Sequence, residues 1–300
     1  MATAQFGRVI TAMITPFTED GAVDYESAVA LAKHLVAHGS EGLLVGGTTG
    51  EGATMTAEEK LKLYTLIVDA VGKRGEGKKV PVMGNIGTIS TADTIAFGNK
   101  AKETGIDCAL VIVPFYVKPN QEGMYQHFTA VAKGVDLPLV LYNVPGRTGV
   151  SIQPETIKRI VDECPNVVGI KDATGSWDQV TKEKALLPED FMIYSGDDAF
   201  TLPVLLAGGV GIISVSAHVI GDDMLAMVDA FEKGDLEKAR ELHLKMYEIN
   251  KGMFFTASPT PVKTATNLVG QPGGHFRLPM VEPTEAEKAK VRQMLENYGG

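Results

Sequence analysis

Lys171 closes the run Val-Val-Gly-Ile-Lys-Asp-Ala-Thr (167–174), which puts an amine directly after a short β-branched segment instead of on a charged helix face. Burial at a strand end penalises the ammonium form and lowers the pKa, and a neutral amine attacks carbonyl carbon. The plain structural alternative is a lysine that snorkels outward to pair with Asp172. The residues that follow the other β-branched runs weigh between the two. They are Gly-Gly-Thr-Thr-Gly-Glu (46–51), Pro-Phe-Tyr (114–116), Tyr-Asn-Val-Pro-Gly-Arg-Thr-Gly (142–149), Ser-Gly-Asp-Asp (195–198) and Ile-Ser-Val-Ser (213–216). An amine, phenols, adjacent hydroxyls and a guanidinium in such places form the kit for covalent carbonyl chemistry on a small carboxylate.

The elements that must position these groups are legible as short apolar runs alternating with amphipathic stretches. Strands are expected at Val9–Ile14, Gly42–Val45, Val80–Met83, Ala109–Val113, Leu139–Tyr142, Val167–Ile170, Phe191–Tyr194 and Gly211–Val215. Between them, Asp24–His38, Thr56–Val71, Thr91–Thr104 and Gln121–Lys133 have helical spacing, and Thr56-Ala-Glu-Glu reads as a capping box. Repeated strand–helix units close into an α/β (β/α)8 TIM barrel, with functional groups at the C-terminal strand ends. A doubly wound open sheet would normally show Gly-x-Gly-x-x-Gly after the first strand, and no such turn is there. Past Val215 the pattern turns helical over Asp222–Phe231, Asp235–Lys251 and Thr284–Tyr298, so the expected division is a catalytic barrel at 1–233 and a helical domain at 234–300. On strand six, simple alternation puts Lys171, Gly169 and Val167 on the barrel interior and Val168 and Ile170 toward the helices.

Composition narrows the function. The 300 residues carry 28 Lys plus Arg against 37 Asp plus Glu, a formal charge of −9, which argues against nucleic acid as a partner. Cys108 and Cys164 lack metal-ligand spacing, and Cys108 reads as small core filler; two thiols fit a reducing cytoplasm. The uncharged stretch between Asp198 and Asp222 is broken by Pro203, Gly208, Gly209 and Gly211, so no membrane span is expected. The N-terminus shows no export signal. Gly47–Thr54 matches the phosphate-binding Gly-x-x-x-x-Gly-Lys-Thr pattern except that Ala53 replaces the lysine, which favours a hydroxyl and amide cradle for a carboxylate over a nucleotide site. His34 and His38 lie four apart without a third ligand and read as a solvated helix face; no metal is expected. Lys263 reads as structural.

Gly47-Thr-Thr-Gly-Glu51, Tyr142-Asn-Val-Pro-Gly-Arg147-Thr-Gly and Gly169-Ile-Lys171-Asp-Ala-Thr-Gly, in this order, resemble the dihydrodipicolinate synthase (4-hydroxy-tetrahydrodipicolinate synthase) family, and the resemblance runs through Gln121–Phe128 and Pro259–Lys263. These are Schiff-base-forming lyases on a (β/α)8 barrel with a helical C-terminal domain. The resemblance implies that Lys171 condenses with pyruvate and that the resulting enamine attacks L-aspartate 4-semialdehyde, without metal or organic cofactor. It implies that Tyr142 relays protons through Thr49 to Tyr116, the latter reaching in from a neighbouring subunit of a homotetramer built as a dimer of dimers. Thr48 and Thr49 would hold the pyruvate carboxylate, Arg147 the semialdehyde carboxylate, and Gly196 and Ile213 would line the pocket around the lysine.

Sister enzymes, N-acetylneuraminate lyase and 2-keto-3-deoxy sugar-acid aldolases, share the pyruvate half of this pattern, but Arg147-Thr-Gly marks the semialdehyde branch. A catalytically silent pyruvate-binding protein is the alternative from another class. Ala57 and Lys60 stand where lysine-inhibited members tend to carry histidines, and Phe115 replaces a common tyrosine, so weak or absent lysine inhibition is expected.

Overall fold

The structure, a computed structural model, describes residues 3–299. Its strands are β1 (Val9–Ala12), β2 (Gly42–Val45), β3 (Val82–Asn85), β4 (Cys108–Ile112), β5 (Leu139–Asn143), β6 (Val167–Asp172), β7 (Met192–Ser195) and β8 (Gly211–Ser214). The helices are α1 (Tyr25–Ala37), α2 (Ala57–Ala70), α3 (Thr91–Glu103), α4 (Gln121–Gly134), α5 (Pro145–Thr148), α6 (Pro154–Glu163), α7 (Trp177–Leu186), α8 (Thr201–Leu206), α9 (Ala217–Glu232), α10 (Leu236–Gly252), α11 (Thr260–Leu268) and α12 (Glu285–Gly299). The strands close in sequence order into a parallel barrel, the expected TIM fold.

The described residues form two compact units, one of residues 3–5 and Met83–Ile213, the other of Phe6–Val82 and residues 214–299. The first contains β4 to β7 in continuous register, with Leu141 beside Ile170, Tyr142 beside Lys171 and Lys171 beside Tyr194. The second contains β1 and β2, paired from Ile10–Gly42 to Ala12–Leu44, and the helices α9 to α12.

Local chemistry sets the helix starts. Thr56 and Glu59 form the expected reciprocal capping box on α2, while Asp24, Ser90, Asn120, Ser176 and Asp235 each accept a backbone N–H with the side chain. Proline occupies the first turn of α6, where its missing N–H costs nothing. The apolar stretch before Asp222 divides into α8, β8 and the start of α9, as its proline and glycines require, and no helix among the described residues is long and apolar enough to cross a membrane.

Several strands differ from expectation at their ends. β1 stops at Ala12, β3 is displaced to Val82–Asn85, and β6 continues through Lys171 to Asp172. The alternation expected along β6 is also corrected at its start. Leu139 pairs with Val167 but Val140 pairs with Gly169, so Val168 is an extra residue in a bulge. Gly169 and Lys171 share the face of Val140 and Tyr142, whereas Val167 takes the opposite face with Leu139 and Ile170. A bulge changes the parity of everything before it, and alternation alone does not reveal one.

Candidate active site

Lys171 lies inside β6 and is only 4% exposed. Loss of hydration pushes its pKa down to about 8; Asp198 opposes that shift and Arg147 adds to it. Its Nζ stands 4.6 Å from the centroid of the Tyr142 ring. The ring, Arg147 and Asp198 belong to β5, to the short helix after it and to the turn after β7, so the amine faces groups at the C-terminal strand ends. The outward pairing with Asp172 is not what forms. Asp172 points to the opposite side of the strand, where its Oδ1 accepts from the Thr174 N–H at 2.9 Å and the Thr174 hydroxyl at 2.5 Å.

Tyr142 is 6% exposed in β5 and shares a pleat with Lys171, which explains the close approach of ring and amine. Arg147 sits on the four-residue helix α5, exposed, behind Pro145. Gly149 ends that helix with φ at +73°, so its conformation selects glycine. Gly196 follows β7 and donates its N–H to the Asp172 carbonyl at 2.6 Å, while a Cβ at this position would meet Ala173 Cβ at 2.6 Å. Ile213 is fully buried in β8.

Tyr116 stands apart. In the single chain it is 86% exposed after β4, with φ at +66°, and Lys118 is also left-handed at +46°. Two non-glycine residues in that region mark a loop held in an unfavourable backbone form. Phe115 and Val117 beside it are exposed as well.

Thr48 and Thr49 belong to the other unit, in the turn that leaves β2. Thr49 is 5% exposed, and the turn is held by Gly52 N–H to the Gly47 carbonyl at 3.0 Å and Glu51 N–H to the Thr48 carbonyl at 3.1 Å. A Cβ on Gly52 would lie 1.9 Å from the Gly46 carbonyl oxygen, so this glycine serves tight turning, not phosphate approach.

A sequence model of the Dihydrodipicolinate synthetase family matches residues 5–298. The chain belongs to this family. A 4-hydroxy-tetrahydrodipicolinate synthase of Heliobacterium modesticaldum is 48% identical over 295 residues, covering 98% of this chain and 96% of that protein. Among solved structures, dihydrodipicolinate synthase of Cyanidioschyzon merolae, described with lysine bound, superposes with a TM-score of 0.94 at 40% identity and 98% coverage of each chain. The Bacillus anthracis enzyme DapA-2 superposes with a TM-score of 0.93 at 42% identity and 99% coverage of each chain.

The family likeness was legible in the motifs, but two features of this dihydrodipicolinate synthetase family member were not. Lys263 is fully buried on α11, and its Nζ donates to Glu51 Oε1 at 2.7 Å, so the lysine read as structural is tied to the Gly-Thr-Thr-Gly turn. Glu183, fully buried on α7, lies against Asp172, and burial followed by the Asp172 charge holds its carboxyl well above the usual range. Helical spacing flags Glu183 as inward-facing; nothing in sequence pairs it with an acid. The rings of His34 and His38 lie tilted by 38° with centroids 4.4 Å apart, and no group of three or more metal-ligating side chains occurs among the described residues.

Proposed function

We propose that this chain is a 4-hydroxy-tetrahydrodipicolinate synthase, condensing pyruvate with L-aspartate 4-semialdehyde on the diaminopimelate route to lysine. The observation that carries the reading is the buried Lys171 amine, depressed to about 8 beside Tyr142, in a chain of this family. Lys171 Nζ adds to the pyruvate ketone and water leaves, giving a protonated imine. A C3 proton is then lost, and the enamine carbon bonds to the aldehyde carbon of the semialdehyde as its C=O π bond opens, the oxygen taking a proton to become a hydroxyl and the enamine reverting to the protonated imine. The semialdehyde's own amine displaces Lys171 from the imine carbon, closing the ring and freeing the enzyme. The imine is its own electron sink, so the reading invokes no metal or organic cofactor.

Tyr142 moves protons to and from these intermediates through Thr49 and Tyr116, because a chain of hydroxyls spares a single phenol from ionising at neutral pH. Thr48 and Thr49 hold the pyruvate carboxylate, and Arg147 forks onto that of the semialdehyde, which suits its planar guanidinium. Gly196 and Ile213 border the imine carbon. In this reading residues 1–233 supply the catalytic barrel and 234–300 the helical domain. The exposed, left-handed Tyr116 with Phe115 and Val117 favours a second copy covering this loop, in a homotetramer that is a dimer of dimers. The protein works in the cytoplasm, where its two buried free thiols stay reduced. Lysine control is weak or absent, since Ala57 and Lys60 replace the expected histidines.

The discriminating experiment offers purified protein pyruvate with either aspartate semialdehyde or a sugar-derived aldehyde. Consumption of the semialdehyde supports the reading. Turnover of the sugar aldehyde alone would transfer the chain to the sugar-acid branch, and binding of pyruvate without any turnover would make it a silent binder.

A further inference from the structure

The turn that carries Thr48 and Thr49 is anchored from far along the chain. Glu51 closes it in the left-handed region, φ +53°, with the residue 5% exposed. A side chain held there needs a specific partner, and Lys263 provides one, 212 positions away, at 2.7 Å and fully buried. The second carboxylate oxygen accepts the Arg277 N–H at 3.3 Å. Lys263 Nζ also stands 4.5 Å from the Phe17 ring centroid and 5.0 Å from that of Phe276, so aromatic faces supply most of its remaining surroundings. Arg277 extends the anchor across the start of α2. It forks onto Glu59 at 2.9 and 2.7 Å and donates to the Thr54 carbonyl at 3.0 Å and the Gly21 carbonyl at 2.6 Å.

Stability alone accounts poorly for such a pair. Two charges stripped of water gain little over well-packed apolar side chains of the same volume, whereas direction and register are what a buried pair fixes well. The Glu51 N–H is bonded to the Thr48 carbonyl, so a carboxylate locked in place also locks the peptides that carry the two threonines.

We propose that Lys263 and Glu51 are positioning residues: the α11 lysine clamps Glu51 and thereby sets the directions in which Thr48 and Thr49 present hydroxyl and amide groups to the substrate carboxylate. The inference rests on the reading of those threonines as the pyruvate carboxylate cradle. It assigns helix α11 a part in pyruvate affinity.

The test uses borohydride trapping in the full-length protein as a function of pyruvate concentration. Lys263→Met alone strands a buried carboxylate and can unfold the chain, so the informative variant is Glu51→Gln/Lys263→Met, which removes both charges and keeps the volume. Lys263→Arg is the conservative control. The folded double variant should need about tenfold more pyruvate or higher for half-maximal trapping, the scale on which small misplacements act. Its KM for the semialdehyde should change little, and Lys263→Arg should recover part of the loss. A folded double variant with unchanged pyruvate dependence overturns the proposal alone. So does a loss that follows only the unfolded fraction in urea. Absence of any pyruvate adduct in the unaltered chain overturns the underlying reading and this proposal together.

Discussion

Lys171 and Tyr142 face each other across adjacent strands in register, with the amine nitrogen 4.6 Å from the ring centroid. Burial and the neighbouring Arg147 depress the amine to about 8 against the restraint of Asp198, and each has a measurable consequence. The rate of borohydride-trappable imine formation should rise with pH with a midpoint near 8. Asp198→Asn, which removes the group that raises the value, should move the midpoint down, and Arg147→Met should move it up. The folded value lies below the ordinary 10.5, so the unfolded chain binds more protons between about 8 and 10.5. The contribution of Lys171 to stability therefore rises with pH through that window, and its full cost is present below it. A pH-independent trapping rate between 6 and 10, the range of the proposed assay, would contradict this account.

Arg147 gives a substrate-selective effect. In the proposed site it meets only the semialdehyde carboxylate, and a hydrogen-bonded charge pair contributes about 1.5–3 kcal/mol. Arg147→Met should therefore raise the KM for the semialdehyde roughly tenfold to a hundredfold and leave the pyruvate concentration for half-maximal trapping nearly unchanged. Equal losses for both substrates would remove Arg147 from its assigned role.

The buried acids Asp172 and Glu183 predict a dependence of stability on pH. Both carboxyls are raised, Asp172 by burial against the Thr174 hydrogen bonds and Glu183 by burial and the Asp172 charge. Among the described residues, buried Asp172 Oδ2 and Glu183 Oε2 have no hydrogen-bond partner, which a proton held between the two would satisfy. The folded chain thus keeps protons that the unfolded chain has lost above about pH 4. Stability from this pair is complete below that value and falls as pH rises through the raised values. Glu183→Gln keeps a donor toward Asp172 and removes the second charge. Urea unfolding at pH 5 and pH 9, the two assay conditions, should show the variant more stable than wild type at the higher pH, by about 1 kcal/mol or more, with little difference at the lower. A variant less stable at both would show that the pair does not share a proton.

Tyr116 allows the proposed assembly to be tested by mixing. Tyr116→Phe and Lys171→Ala chains should each be nearly inactive alone. Hybrids formed by refolding them together should regain activity, since some sites then combine an intact lysine with an intact tyrosine from the other chain. No recovery in hybrids of verified composition would show that Tyr116 acts within its own subunit or not at all.

The fold was legible because it depends on local signals: β-branched runs, caps such as Thr56 with Glu59, and breakers such as Pro203 and Gly208. The lysine at 171 stood out for the same reason, as a charge in an apolar run. What stayed hidden depends on pairing. The Val168 bulge exists only relative to β5, and it reversed the expected face of Val167. Lys263 reads as structural from sequence, and its partner Glu51 stands 212 positions away, where nothing along the chain links the two. Helical spacing turns Glu183 inward, but the acid it meets, Asp172, is evident only when α7 is laid against β6. Arg147 was identified by motif, yet its short helix needed Gly149 at positive φ to become visible.

Covalent imine formation at Lys171 is the step on which the proposed chemistry depends. Incubation with pyruvate and borohydride, followed by peptide mass mapping, tests it most directly. A reduced pyruvate adduct is expected on the peptide that contains Lys171, lost in Lys171→Ala and suppressed when aspartate semialdehyde turns the enamine over. No adduct, or an adduct confined to another lysine, would contradict it.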